Sequence, residues 1–199
     1  MRRQPAGTAG GSPAAHRGWH ERGYLPHWDV GAVVQAITYR LADSLPKHVE
    51  LDRRRCQSLL DQGRGSCILL RPDLARVVIE SWHHFNGSRY RLHAWVVMPN
   101  HVHLVATILD GHPLSRIVPS WKSYTAHRLR VVTGATGRIW HPDYWDRVIR
   151  DEAHFVAAVE YVEASPVTAG LVPQPCAWPF SSAAAGQFHH SSSRPKAMR

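Results

Sequence analysis

The stretch from Tyr90 to Ile108, YRLHAWVVMPNHVHLVATI, restricts the fold more than any other part of the chain. Tyr90 to Val97 is rich in aromatic and β-branched residues, which suit a pleated, half-buried surface. Met98-Pro99-Asn100 interrupts that run with turn-forming residues. His101 to Ile108 then alternates: His101, His103, Val105 and Thr107 face one way, and Val102, Leu104, Ala106 and Ile108 the other. The pattern predicts a β-hairpin carrying two imidazoles on one face. Two residues apart on a strand, both rings can grip one metal ion, whereas a shift of one residue would send them to opposite faces. The pair equally fits two hydrogen-bonded histidines on a sheet surface. With 15 His in 199 residues, an H-x-H arises easily by chance.

The rest of the chain supplies helices to pack against that hairpin. Residues 35–41 alternate and predict a first strand. A charged helix follows near 46–62, broken by Gly63 and Gly65. Pro72 opens a second helix, where its missing N–H is harmless, and Leu74, Val77, Val78 and Trp82 give it an apolar stripe to about Phe85. After the hairpin, Leu114, Ile117, Val118, Trp121, Thr125 and Leu129 mark the buried side of a long helix over 114–132. Pro119 should kink it or delay its start. Residues 144–150 alternate as a last strand. Asp151 caps a helix over 152–164 that the pre-proline residue Ser165 should end. Trp178-Pro179-Phe180 folds back on the domain. Helices alternating with an antiparallel sheet predict an α+β sandwich of the split βαβ kind.

Length fits one domain, residues 19–185, between a disordered basic arm at 1–18 and a disordered tail at 186–199. The formal net charge of +9 favours a polyanionic partner, nucleic acid before a membrane surface. Arginine far outnumbers lysine, so part of that charge is compositional. The long helix carries Arg116, Ser120, Ser123, His127 and Arg130 opposite its apolar side, flanked by Lys122 and Arg128. Such a face can follow a phosphate backbone or simply meet water. Cys56, Cys67 and Cys176 make neither a C-x-x-C pair nor an even set, which suits a reducing, cytoplasmic compartment. No apolar run is long enough to span a bilayer, and the N-terminus lacks the apolar core of a secretory signal.

Four segments in order, YRLHAWVVMPNHVHLVATI, SWKSYTAHRL, YWDRVIRDEAHFVAAVEYVEASPVTAGLV and WPFSS, resemble the REP-associated tyrosine transposases. RGYLPHWDVGAVVQAITYRLADSLP resembles one branch of them, so the likeness runs over roughly residues 22–182. These proteins belong to the single-tyrosine branch of the HUH endonucleases, whose fold is ferredoxin-like. The resemblance implies His101 and His103 as metal ligands and Tyr161 as nucleophile. It implies Mg²⁺ or Mn²⁺ as cofactor, although two imidazoles alone would suit Zn²⁺ equally. It further implies single-stranded DNA hairpins of palindromic repeats as partner and a nucleoid-associated, cytoplasmic protein. The product would be a 5′-phosphotyrosine with a free 3′-OH. A phenol ionises near about pH 10, so it needs the metal or a base to attack at neutral pH.

The family usually places Asn or Gln four residues after the tyrosine to complete the metal site. Here that position is Ser165, a shorter and weaker ligand. The third ligand is then Ser165, directly or through water, or another group such as His154. Arg22, Lys122, Arg128, Arg130 and Arg147 are the candidate DNA contacts. Relatives occur as monomers and as homodimers that exchange tyrosine helices. The short loop before Tyr161 favours a tyrosine serving its own site. A nucleic-acid-binding protein without catalysis is the main rival, and a zinc hydrolase of small molecules a third reading.

Overall fold

In the computed structural model the described residues are 19–21, 26–28, 33–45 and 53–184. The expected arm at 1–18 and tail at 186–199, and residues 46–52 of the first expected helix, lie outside them.

Two short strands, β1 (Trp19–Glu21) and β2 (Pro26–Trp28), pair antiparallel with Trp19 opposite Trp28. The main sheet has four strands: β3 (Val33–Arg40), β4 (Tyr90–Val97), β5 (His101–Ile108) and β6 (Trp145–Val148). Their spatial order is β4-β5-β3-β6, with every pair antiparallel. This is the order of a split βαβ fold, and it places β5 and β3 inside the sheet. The hairpin forms where expected. Its ladder is irregular only between Leu92 and Ala94.

Register sorts the side chains. Thr38 stands opposite His103 and Arg40 opposite His101, while Ala36 stands opposite Arg147 and Thr38 opposite Trp145. Directly paired residues share a face, so these side chains belong to the imidazole side. Ile37, Tyr39, Val102 and Leu104 occupy the other side and are almost fully buried.

Two helices, α2 (Pro72–His83) and α3 (Leu114–Thr133), cover that second side. Their tryptophans are large enough to fill it, and each buried ring N–H finds an acceptor, as burial demands. Trp82 Nε1 donates to Tyr39 Oη at 2.8 Å, Trp121 Nε1 to Tyr90 Oη at 2.9 Å, and Tyr90 Oη to the Trp82 carbonyl at 2.7 Å. Pro119 does not delay the start of α3, which runs unbroken through it. It lies within the second turn, where only one intrahelical bond is forfeited, and Ile117, Val118 and Trp121 around it are buried.

The imidazole side is covered by α1 (Arg53–Asp61) and α4 (Glu152–Thr168). Cys56 and Leu60 of α1 pack with Leu45, and Trp145 of β6 lies against them. The Asp151 carboxylate caps α4 by accepting from the His154 N–H at 2.8 Å. The helix then runs through Pro166 to Thr168, past the end expected at Ser165. Val162, Ser165 and Pro166 are buried, and backbone bonds resume at once with Ala169 donating to the Ser165 carbonyl at 3.0 Å. Packing here outweighs the single bond that proline removes. A short 3₁₀ turn at Pro175–Ala177 follows, and Trp178 Nε1 then donates to the Val97 carbonyl at 2.9 Å, folding the chain back as expected.

Candidate functional site

His101 and His103 point to the same side of β5, and both rings are buried. Their Nε2 atoms lie 3.0 Å apart. Each ring is fixed through its other nitrogen. Asn100 donates through Nδ2 to the Arg64 carbonyl at 2.8 Å, which turns its Oδ1 toward His101 Nδ1 at 2.7 Å. An amide oxygen only accepts, so Nδ1 of His101 carries the proton and Nε2 presents a lone pair. Thr38 Oγ1 lies 2.8 Å from His103 Nδ1 and orients that ring in the same way. Burial, then the neighbouring His103, hold the His101 pKa well below the usual imidazole value, so the ring is neutral at pH 7.

The Arg64 carbonyl reaches Asn100 because the chain after α1 turns tightly. Gly65 has φ +86°, and a Cβ there would come within 2.7 Å of the Asp43 carbonyl oxygen. Only glycine satisfies both the positive φ and the close approach. Ser66 N–H then donates to the Asp43 carboxylate at 2.8 Å, tying the loop to the end of β3.

The tyrosine reaches the same place. Tyr161 on α4 has its ring centroid 5.3 Å from that of His103 in the same chain, and it remains 49% exposed. A residue whose ring packs on a buried imidazole while half its surface stays accessible is open to an incoming phosphate. Ser165 is buried on the same helix, but its hydroxyl donates to the Tyr161 carbonyl at 2.7 Å. Its proton is spent on the helix backbone. His154 stands two turns up α4, about 10 Å along the axis from Tyr161, and its Nδ1 accepts from the Arg150 N–H at 3.4 Å.

The candidate DNA contacts divide. Arg147 is exposed on the imidazole side of β6. Arg128 and Arg130 are exposed on α3, across the sheet from the imidazoles, and Arg130 Nε donates to the Gly137 carbonyl at 3.3 Å. Lys122 departs from the expectation of a DNA contact. It is only 8% exposed, and its Nζ donates to the carbonyls of Pro142 and Asp143 at 2.9 and 3.0 Å. Burial brings its pKa down to about 8. An ammonium so enclosed holds a loop rather than a phosphate. Arg22 lies outside the described residues.

The sequence reading missed two residues that approach the imidazoles from α1. Gln57 Nε2 lies 3.3 Å from His101 Nε2 and 3.2 Å from His103 Nε2. It also donates to Asp61 Oδ1 at 2.8 Å, and that oxygen lies 3.8 Å from His101 Nε2. Burial raises the Asp61 pKa, while the Gln57 hydrogen bond opposes the rise. Their i, i+4 spacing was the available signal, since it puts both on one helix face. Asn100 and Thr38 were legible only as a turn residue and a strand residue. Among the described residues no three of His, Cys, Asp and Glu converge closely enough to hold an ion by themselves.

Comparison with known proteins finds relatives in sequence and in fold. Residues 75–165 match the family model described as "Transposase IS200 like". A REP-associated tyrosine transposase of Escherichia coli (strain K12) is 31% identical over 107 residues. That alignment covers 53% of this chain and 58% of the relative, so the chain spans little more than half of its length. Among solved structures, a REP-associated tyrosine transposase bound to a REP hairpin superposes with a TM-score of 0.61 at 20% identity. The match covers 89% of this chain and 93% of the other, and it shows a shared fold. No helix among the described residues is long and apolar enough to cross a membrane. Residues 75–165 are thus similar to IS200-like transposases, and about half of the chain is similar to a REP-associated tyrosine transposase.

Proposed function

We propose that this protein cuts and rejoins single-stranded DNA at hairpins of palindromic repeats, with Tyr161 as nucleophile and a divalent cation, Mg²⁺ or Mn²⁺, held by His101 and His103. The observation that carries the reading is the approach of a half-exposed phenol to a buried imidazole pair, 5.3 Å between ring centroids. The donor set fits a cation. An ion with bonds of about 2.1–2.2 Å and right-angle geometry needs ligand atoms about 3 Å apart, and the two Nε2 atoms are 3.0 Å apart. The neutral His101 imidazole, its tautomer set by Asn100, is what such an ion requires. When bound, the cation supplies charge neutralisation at the phosphate.

The chain's own groups do the rest. Asn100 and Thr38 hold the two rings, so no reorganisation is needed when the phosphate arrives. Helix α4 presents Tyr161, and its Oη attacks the phosphorus. The P–O3′ bond breaks, a tyrosyl 5′-phosphate forms, and the phenol's proton ends, in net terms, on the released 3′-OH. Rejoining is the reverse attack of a 3′-OH, which restores the phenol. Exposed Arg147, on the same side of the sheet, is the cation best situated to meet the DNA backbone.

The test is a labelled single-stranded hairpin incubated with the protein and Mn²⁺, run on a denaturing gel. Wild type should give a covalent adduct and Tyr161→Phe none, with hairpin binding kept in both. Binding without an adduct in wild type would leave a non-catalytic nucleic-acid-binding protein.

A further inference from the structure

We infer that Gln57 and Asp61 of α1 complete the metal site in place of Ser165. This deepens the metal reading above and rests on it.

The terminal atom of Gln57 and the two imidazole Nε2 atoms form a triangle with edges of 3.0, 3.2 and 3.3 Å. Three ligands on one face of an octahedral ion would be separated by about 3 Å. The atom now in that corner is the amide nitrogen, whose hydrogens bridge the Asp61 carboxylate and the imidazole lone pairs. The two ends of a glutamine amide are nearly the same size. Half a turn of the terminal torsion brings Oε1 into the corner and converts a donor into a hard oxygen ligand. That turn would also set two oxygens about 3 Å apart, Gln57 Oε1 and Asp61 Oδ1, an arrangement that is repulsive without a cation beside them and favourable with one.

Asp61 supplies what the other groups lack. Two imidazoles and an amide are neutral, and a carboxylate brings the charge that a hard divalent cation needs. Its Oδ1 lies 3.8 Å from His101 Nε2, and its side chain keeps 23% exposure. Ser165 brings no such charge: its hydroxyl is neutral and lies against the helix backbone, donating to the Tyr161 carbonyl at 2.7 Å. The arrangement also gives the tight turns after α1 a purpose. Gly63 and Gly65, both at positive φ, return the chain so that the end of α1 meets the base of the hairpin.

Mn²⁺ titrated into the DNA-free, full-length protein by calorimetry, with the Mn²⁺ electron paramagnetic resonance signal as a second readout, tests this. Gln57→Ala and Asp61→Asn should each weaken Mn²⁺ binding about tenfold or more. Gln57→Glu should restore it, and Ser165→Ala should stay within twofold of wild type. Metal-free thermal unfolding checks that each variant is folded. The inference is overturned if Gln57→Ala or Asp61→Asn binds Mn²⁺ like wild type while His103→Ala does not, a result that leaves the metal reading standing. If wild type itself binds no Mn²⁺, the metal reading fails and takes this inference with it.

Discussion

Replacing Asn100 by alanine isolates the group that sets the His101 tautomer. Asn100 and His101 are both fully buried. The substitution removes two hydrogen bonds, 2.7 Å to His101 Nδ1 and 2.8 Å from Nδ2 to the Arg64 carbonyl. The His101 N–H is then a buried donor without a partner, which costs about 1–3 kcal/mol. Arg64 lies on an exposed loop, so water can replace the second bond at a smaller cost, about 0.5–1.5 kcal/mol. The backbone bond from Leu41 N–H to the Asn100 carbonyl, 2.8 Å, is untouched. Asn100→Ala should therefore lose about 1.5–4.5 kcal/mol in urea unfolding at unchanged m-value. Side-chain ¹⁵N spectra should show His101 protonated on Nδ1 in wild type and as a tautomer mixture in the variant. Mn²⁺ affinity should fall about 10–100-fold. A loss below about 0.5 kcal/mol, comparable to an ordinary surface change, together with a wild-type ring protonated on Nε2, would refute the reasoning.

Tyr39→Phe leaves the buried Trp82 Nε1–H without its acceptor and should cost about 1–3 kcal/mol, read by denaturant unfolding, with hairpin cleavage per folded molecule unchanged. Gly65→Ala should destabilise by more than about 1 kcal/mol, since both the positive φ and the Asp43 carbonyl oppose a Cβ. The His141 pKa is brought down to about 4, by burial first and then by Arg40 and Lys122. Between about pH 6.5 and 4 the unfolded chain binds more protons than the folded one, so stability should fall as pH drops through that window. His141→Gln should flatten the profile of melting temperature against pH; an unchanged profile would discount this residue. Arg147→Glu should weaken hairpin binding and lower its salt dependence, whereas Arg128→Glu should do so less, because α3 lies across the sheet from the imidazoles.

How far the chain could be read in advance follows from how local each signal was. The hairpin was legible because alternation and the Pro99-Asn100 break act within a few residues. The apolar stripe of α3 was legible for the same reason, and all six of its expected inward positions are buried. The end of α4 was not, since Ser165-Pro166 signals a stop locally, while burial of Val162 and Pro166 carries the helix onward. Lys122 looked like part of a cationic face. Its neighbours along the helix could not reveal the Pro142 and Asp143 carbonyls that take up its charge. Gln57 and Asp61 sat in a helix too polar to distinguish a ligand from a solvated residue. Their meaning depends on a loop that returns α1 to a strand more than forty positions away. The paired imidazoles were legible from alternation, whereas Tyr161 came only from the family resemblance, and the fold brings its ring to 5.3 Å from that of His103 within one chain.

The strand that bears both imidazoles is an inner one, hydrogen-bonded along its length to β3 on one edge and to β4 on the other. It cannot slide or tilt without breaking two ladders at once. Any motion at the site must then fall to the pieces laid over the sheet, while the anvil stays still. Helices α1 and α4 both reach that fixed point, one through Gln57 and the other through Tyr161, and either can shift without disturbing the platform beneath.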